Sequence, residues 1–289
     1  MNTASLLAGC AALCFGLGLV TARIGLRAVD ARTGAAISVP AATLMFILVA
    51  PFVLDWRGFE PSAVLWFAVV GLFFPAFVTL LTNRSNELLG PTVTGAISGT
   101  SPLFALLAAA LLLGERIPAR AGVAAVAIVA GVSLLSWRQG AVRGGWSGRL
   151  LWPLAGAMVR GLAQVAAKAG LLLWPNPFAA SLIAYTVSSA VVVGSNRIGR
   201  GQRPDVSRHG LVWCAVSGLL NGTAVLLMYS ALSLAPVALV APLIATYPLT
   251  TALISALLLR EERLTPRLLA GAGITVLAVV YLVSAPPGA

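Results

Sequence analysis

The 289-residue chain is 59% hydrophobic and only 9% charged, whereas soluble domains carry roughly 25% charged residues. This composition excludes a soluble globular protein and predicts an integral membrane protein. The formal net charge of +11 does not indicate nucleic-acid binding, because the arginines lie in short segments between apolar runs and form no basic run with interleaved aromatic residues.

Ten apolar runs follow one another along the chain. Each is about long enough to cross the ~30 Å hydrocarbon layer as a helix, and none alternates between apolar and polar residues as a barrel strand does. We therefore expect an all-α membrane protein with ten transmembrane helices. The predicted helices are 4–22, 33–54, 62–82, 88–113, 118–136, 150–171, 177–196, 210–230, 235–259 and 266–284.

The second half of the chain repeats the first. Residues 100–115 and 246–261 are identical at nine of sixteen positions, and residues 16–26 match 161–171 at an almost equal offset. Five helices per repeat is an odd number, so the second repeat is expected to enter the membrane from the opposite side. Inverted repeats are typical of secondary transporters with a site near the midplane. The predicted repeats are residues 1–144 and 145–289, joined by the hydrophilic segment 137–149.

Arginine is distributed unevenly between the loops. Fourteen arginines follow the odd-numbered helices and three follow the even-numbered ones. Positively charged loops stay in the cytoplasm, so both termini are expected outside. Eighteen arginines against one lysine indicate a GC-rich bacterial genome, and hence the bacterial cytoplasmic (inner) membrane. The fourteen are Arg23, Arg27, Arg32, Arg84, Arg138, Arg143, Arg149, Arg197, Arg200, Arg203, Arg208, Arg260, Arg263 and Arg267; the three are Arg57, Arg116 and Arg120.

The sequence contains no pattern of metal or cofactor ligands. Cys10, Cys14 and Cys214 lie inside apolar runs, where a thiol behaves as a small hydrophobic group, and the single histidine, His209, is at the edge of a predicted helix. We expect no metal and no cofactor. An enzyme is disfavoured because no paired carboxylates lie at membrane depth.

Two segments at equivalent places resemble a known family. They are Leu113-Gly-Glu-Arg116 with Gly122, and the run from Tyr229 through Pro236, Pro242 and Pro248 to Glu262-Arg263 and Gly271. This duplicated pattern resembles an EamA-type module of the drug/metabolite transporter superfamily. The resemblance implies a ten-helix transporter whose relatives move amino acids, sugars, nucleotide sugars, phosphorylated metabolites or drugs.

The sequence departs from that family pattern in two respects. The segment Thr82-Asn-Arg-Ser-Asn-Glu87 is far more polar than Tyr229-Ser-Ala-Leu232, its equivalent in the second half. Family members also usually have both termini in the cytoplasm, opposite to what the arginine distribution predicts. We follow the arginine distribution for the expected orientation.

The strongest polar pattern lies in the sixth predicted helix. Arg160, Gln164 and Lys168 are spaced four residues apart, so they lie along one helix face. Charges inside a membrane are costly, and this face should meet a cavity or another helix. We interpret Arg160 and Lys168 as ligands of an anionic solute group, with Gln164 orienting it. Alternatively, Lys168 reaches the interface near Trp174 and Arg160 pairs with an acid.

Further candidate solute ligands are hydroxyl and amide side chains near helix centres. Pro102 and Pro248 each remove a helix hydrogen bond, and we expect them to act as gate elements beside polar side chains. The alternative is that small polar residues allow helices to pack closely. The candidates are Ser217, Asn221, Thr246, Tyr247, Thr100 and Ser101.

A polar cluster lies where the third predicted helix meets the fourth. Asn83 is a candidate solute ligand. Arg84 and Glu87 are three residues apart and could form a local ion pair; otherwise Glu87 is the best candidate for a proton-coupling carboxylate or a gate.

These patterns favour a secondary transporter, an exporter or exchanger of a small metabolite, working by alternating access between inverted repeats. The excess of basic over acidic groups at membrane depth favours an amino acid or an organic anion. The alternatives are a multidrug or hydrophobic-cation exporter, a membrane-embedded enzyme and a non-transporting scaffold. The expected partners are a small solute and the lipid bilayer, with a homodimer as one alternative to a monomer.

Overall fold

The computed structural model describes residues 3–135, 148–197, 206–256 and 266–284. These ranges are helical and contain no strand. Thirteen α-helices are present in them. They are α1 (Thr3–Gly25), α2 (Ala31–Val53), α3 (Pro61–Phe73), α4 (Ala76–Leu89), α5 (Pro91–Ser98), α6 (Ser101–Leu112), α7 (Ala119–Leu135), α8 (Leu151–Leu173), α9 (Pro177–Arg197), α10 (Arg208–Leu234), α11 (Val237–Ile244), α12 (Tyr247–Ile254) and α13 (Pro266–Ser284).

The helices divide into segments of membrane-spanning length and shorter ones. Within the described residues, eight helical segments are long and apolar enough to cross a membrane, and two shorter apolar helices cover Ala119–Leu134 and Ala270–Ser284. The chain is therefore an integral, multi-pass membrane protein. Most of the predicted linker 137–149 lies outside the described residues, as do Arg138, Arg143, Arg200, Arg203, Arg260, Glu261, Glu262 and Arg263.

Three of the predicted helices are each divided into two. The prediction 62–82 is α3 followed by α4, 88–113 is α5 followed by α6, and 235–259 contains α11 and α12. Proline explains these three helix breaks, because it lacks the N–H that would continue the helix. Pro75 precedes α4, and Pro102 and Pro248 occupy the first turn of α6 and α12.

The breaks before α6 and α12 have the same hydroxyl arrangement. Thr100 Oγ1 donates to the carbonyl of Ile97 at 2.7 Å, and Thr246 Oγ1 donates to the carbonyl of Leu243 at 2.7 Å. Each threonine thus satisfies a carbonyl at the end of the preceding short helix. The two positions are 146 residues apart, so the sequence repeat extends to side-chain hydrogen bonding.

Small residues bring the helices around the centre into close contact. Helix α1 packs along α10, and α10 packs along α2. At Gly218 of α10, an added Cβ would overlap the backbone carbonyl of Ser38 in α2. At Gly161 of α8 it would lie 2.8 Å from the carbonyl oxygen of Ser101. These two glycines let α2 and α6 approach close to the side chains described next.

Candidate functional site

A cavity lies between α1, α2, α4, α8, α9, α10 and α12. Its lining includes Arg160, nine residues from the start of α8 at Leu151, or about 14 Å along a helix. If α8 enters a hydrocarbon layer ~30 Å thick at Leu151, Arg160 lies near its midplane. Arg160 is the one charged residue among the described residues that line the cavity; the others are aromatic, aliphatic, small or uncharged polar residues, with no Asp or Glu among them.

Arg160 is enclosed by aromatic rings. Its guanidinium carbon lies over Phe15 at 5.3 Å from the ring centroid, and over Phe74 and Tyr247 at 5.7 Å each. The side chain is only 7% exposed. Its Nε makes no hydrogen bond, and none of the described acids forms an ion pair with it. We call Phe15, Phe74 and Tyr247 the aromatic cage.

Gln164, one turn further along α8, does not line the cavity, and its polar atoms are also unpartnered. Gln164 is 1% exposed, and neither its amide nitrogen nor its amide oxygen has a hydrogen-bond partner among the described residues. The hydroxyls of Tyr185 in α9 and Tyr229 in α10 are also buried without a hydrogen-bond partner among the described residues. Tyr185 lines the cavity. A buried polar group without a partner costs about 1–3 kcal/mol. A polar solute could supply the missing partners.

Lys168 is the third residue of the polar face of α8, and it lies at the turn between α10 and α11. Its Nζ donates to the carbonyls of Leu232 at 2.7 Å and Ala235 at 3.1 Å. These carbonyls are at the C-terminus of α10, where a positive charge is favourable. Lys168 does not line the cavity, so the structure places Arg160 and Lys168 in separate environments.

Glu115 stabilises the other side of the same turn. Its two carboxylate oxygens accept the backbone N–H groups of Val237 at 3.1 Å and Ala238 at 3.3 Å. These donors begin α11, where a negative charge is favourable. Lys168 and Glu115 together hold the turn between α10 and α11. This role of Glu115 was not predicted from the sequence, although the residue is part of the Leu113–Arg116 motif.

Four other predicted ligands line the cavity: Ser217, Asn221, Tyr247 and Asn83. Asn221 Nδ2 donates to the carbonyl of Ser217 at 2.8 Å, and Ser217 Oγ donates to the carbonyl of Gly18 at 2.8 Å. Asn83 Nδ2 reaches the carbonyl of Ala31 at 3.4 Å. These bonds to backbone carbonyls hold Asn221, Ser217 and Asn83 in place around the cavity.

The remaining predicted residues do not line the cavity. Thr100 and Thr246 are bonded to local carbonyls, Ser101 is buried at the start of α6, and Pro102 and Pro248 sit at helix starts. Their proposed roles in solute binding or gating stay predictions.

Arg84 and Glu87 form a local ion pair. Arg84 donates to Glu87 at 2.7 Å, and the two side chains are 46% and 30% exposed. They border a second cavity of about 390 Å³ that also contains Asp30, Arg32 and Trp152. The geometry is that of the structural alternative, and a coupling role for Glu87 stays a prediction.

Two rings of the aromatic cage, Phe15 and Phe74, and the cavity residue Tyr185 were not predicted from the sequence. Phe15, Phe74 and Tyr247 come from α1, the α3–α4 junction and α12, so no spacing in the chain links them. The one local signal was Pro75, which marks a helix break next to Phe74.

Comparison with known proteins assigns the fold to a family. A family model described as the EamA-like transporter family matches residues 2–137 and again residues 148–284. The chain belongs to the EamA-like transporter family. The resemblance predicted from the duplicated motif is therefore confirmed, and the family is one of membrane transporters in the drug/metabolite transporter superfamily.

Solved structures agree with this fold. A crystal structure described only as that of a protein is similar with a TM-score of 0.77, over 98% of this chain and 96% of the other, at 18% sequence identity. At that identity the likeness concerns the fold alone. No curated protein matches the chain.

Proposed function

We propose that this EamA-family protein is a secondary transporter whose solute carries an anionic group, such as an amino acid or an organic anion. The observation that supports this is that Arg160 is buried beside the cavity without an ion-pair partner among the described residues. The rings of the aromatic cage offset part of the cost of burying its charge, by about 0.5–2 kcal/mol each. Its Nε, however, finds no acceptor among the described residues, and a carboxylate accepts two guanidinium N–H groups at once.

The rest of the cavity suits the remainder of such a solute. Asn221, Ser217 and Tyr185 contribute uncharged hydrogen-bonding groups to its lining. Gln164 lies one turn from Arg160, outside that lining, with free donor and acceptor capacity. A small solute bound to Arg160 through its carboxylate would place its other polar groups among these side chains.

The cavity is small in this conformation. Its water-accessible volume is about 50 Å³, which accommodates a few waters at about 10–15 Å³ each. Binding a metabolite therefore requires the surrounding helices to move apart. Alternating access provides this movement, because the two halves rock around a fixed central site.

An arrangement of ten spans in two inverted repeats is part of the proposal. It is supported by the eight long segments together with the two shorter apolar helices, and by a pair of equivalent basic residues. Arg23, which aligns with Lys168, donates to the carbonyls of Asn86 at 2.9 Å and Glu87 at 3.3 Å at the end of α4. Lys168 does the same at the end of α10. We further propose the bacterial inner membrane and external termini, on the arginine distribution.

Thermal stability of the purified protein in detergent tests the proposed solute class. The probes are amino acids, organic acids, sugar phosphates, nucleotide sugars and quaternary ammonium compounds. A ligand at ~100 times its dissociation constant adds about 2.7 kcal/mol of stability. We expect an anionic or zwitterionic probe to stabilise the wild type and Arg84→Ala, and to stabilise Arg160→Ala much less.

Two results would count against the proposal. One is stabilisation by quaternary ammonium compounds alone, which would favour the cation exporter. The other is an anionic ligand whose effect persists in Arg160→Ala, which would place its site elsewhere.

A further inference from the structure

The aromatic cage has the composition of a cation-binding site. Three ring faces, from separate elements of the fold, surround one point at 5.3–5.7 Å from their centroids. Such arrangements bind ammonium and guanidinium groups because the ring faces are electronegative. Here the bound cation is the chain's own Arg160 side chain. All three rings are nearly fully buried, at 3–5% exposure.

We propose that Arg160 sets the sign of the charge that the central site accepts. By filling the aromatic cage it removes a site for cationic solutes, and by adding a positive charge it makes the same place suitable for anions. The part of this inference that concerns anion binding rests on the proposed function. The part that concerns the cation site depends only on the geometry of the aromatic cage. Without the Arg160 side chain, the cage should bind a small organic cation such as guanidinium or tetramethylammonium.

The charges around the cage support this role. No Asp or Glu lines the cavity among the described residues, so Arg160 alone sets the sign of its charge. In a buried site of low dielectric constant, a second cation beside Arg160 would be strongly repelled. A fixed like charge is an effective way to exclude the wrong partner. Removing that one charge leaves the attraction of the three rings unopposed.

The test uses the full-length protein in detergent with low millimolar guanidinium or tetramethylammonium chloride as probes and sodium chloride as the salt control. Binding is followed by thermal stability and calorimetry. We expect Arg160→Ala to bind a probe cation and the wild type not to bind it. Arg84→Ala is the matched control, because it removes an arginine that belongs to an exposed ion pair; it should behave as the wild type does.

A ring deletion connects the binding to the cage. In the Arg160→Ala background, Phe15→Leu removes one ring and should weaken cation binding by about 2- to 30-fold. Guanidinium should also restore part of the anion binding that Arg160→Ala loses, because it replaces the deleted group in place. If Arg160→Ala does not fold, purification in guanidinium should recover monodisperse protein, and failure to recover it would contradict the inference.

The outcomes separate this inference from the proposed function. An anion that stabilises the wild type, together with a folded Arg160→Ala that binds neither cation, overturns the cage role and leaves the proposed function intact. Cation binding to Arg160→Ala that is insensitive to Phe15→Leu also overturns it. Cation binding to Arg160→Ala with no anion binding to the wild type supports the cage and rejects the proposed solute class.

Discussion

Arg160 and Lys168 lie on one face of α8, eight residues apart, and their surroundings differ. Both are buried, at 7% and 9% exposure. Lys168 donates to two backbone carbonyls, whereas Arg160 meets three ring faces and its Nε has no hydrogen-bond acceptor among the described residues. Helical spacing places Arg160 and Lys168 on the same face of α8, but the residues packed against each side chain decide its role. A cation with its hydrogen bonds made stabilises the fold, and one without them is available to a ligand.

The largest expected effect is that of Arg160→Ala on solute binding. Losing one member of a buried, hydrogen-bonded charge pair costs about 2–5 kcal/mol, so solute affinity should fall by about 30-fold or more. Stability without solute should change little, because the variant removes a buried charge that lacks an ion-pair partner but also loses the attraction of the three rings. Uptake into proteoliposomes and thermal stability without solute measure the two effects. A marked loss of stability in the solute-free variant that guanidinium does not restore would show that Arg160 is a structural residue.

Lys168→Met should have the opposite pattern. Hydrogen bonds to charged groups contribute about 1.5–3 kcal/mol, and the variant leaves the end of α10 without its cation. We expect stability to fall by about that amount while solute affinity per folded molecule is unchanged. Arg23→Met is the matched control in the first half and should destabilise similarly. If Lys168→Met keeps its stability but loses solute binding, Lys168 is a solute ligand and its structural role is wrong.

The sequence predicted the repeat, the helical membrane fold and the polar face of α8 because each depends on local or periodic patterns. It could not predict which neighbour each polar residue meets. The carbonyls bonded to Lys168 are 64 and 67 residues away along the chain, and the cage rings are scattered from Phe15 to Tyr247. Such partners depend on how the helices pack. Proline marked the helix breaks, but a hydropathy profile shows one continuous apolar segment on both sides of each break.

Gln164→Leu should produce a smaller, mixed effect. Leucine is similar in size to glutamine and removes two buried polar atoms that lack partners, so stability without solute should rise by about 1–3 kcal/mol. Solute affinity should fall several-fold as a hydrogen-bonding group is lost. The two quantities are measured by thermal unfolding and by solute titration.

Ser188→Ala is the matched control for Gln164→Leu. Its hydroxyl donates to the carbonyl of Gly71 at 2.6 Å and accepts the N–H of Ala76 at 3.1 Å. Removing a buried hydroxyl with both partners in place should destabilise rather than stabilise the protein. If both variants destabilise equally, Gln164 is hydrogen-bonded in the folded protein and its assignment to the solute site is wrong.

The smallest expected effect is that of the exposed pair at the end of α4. Glu87→Gln removes the carboxylate that accepts the hydrogen bond from Arg84, and exposed ion pairs contribute about 0–1 kcal/mol. We expect little change in stability, and no change in how uptake depends on a proton gradient, with Arg84→Ala giving the same result. Proteoliposome uptake at two external pH values, with internal pH fixed, measures this dependence. If Glu87→Gln alone abolishes the response to the gradient, the carboxylate couples transport to protons, and its ion pair with Arg84 describes only one state of the cycle.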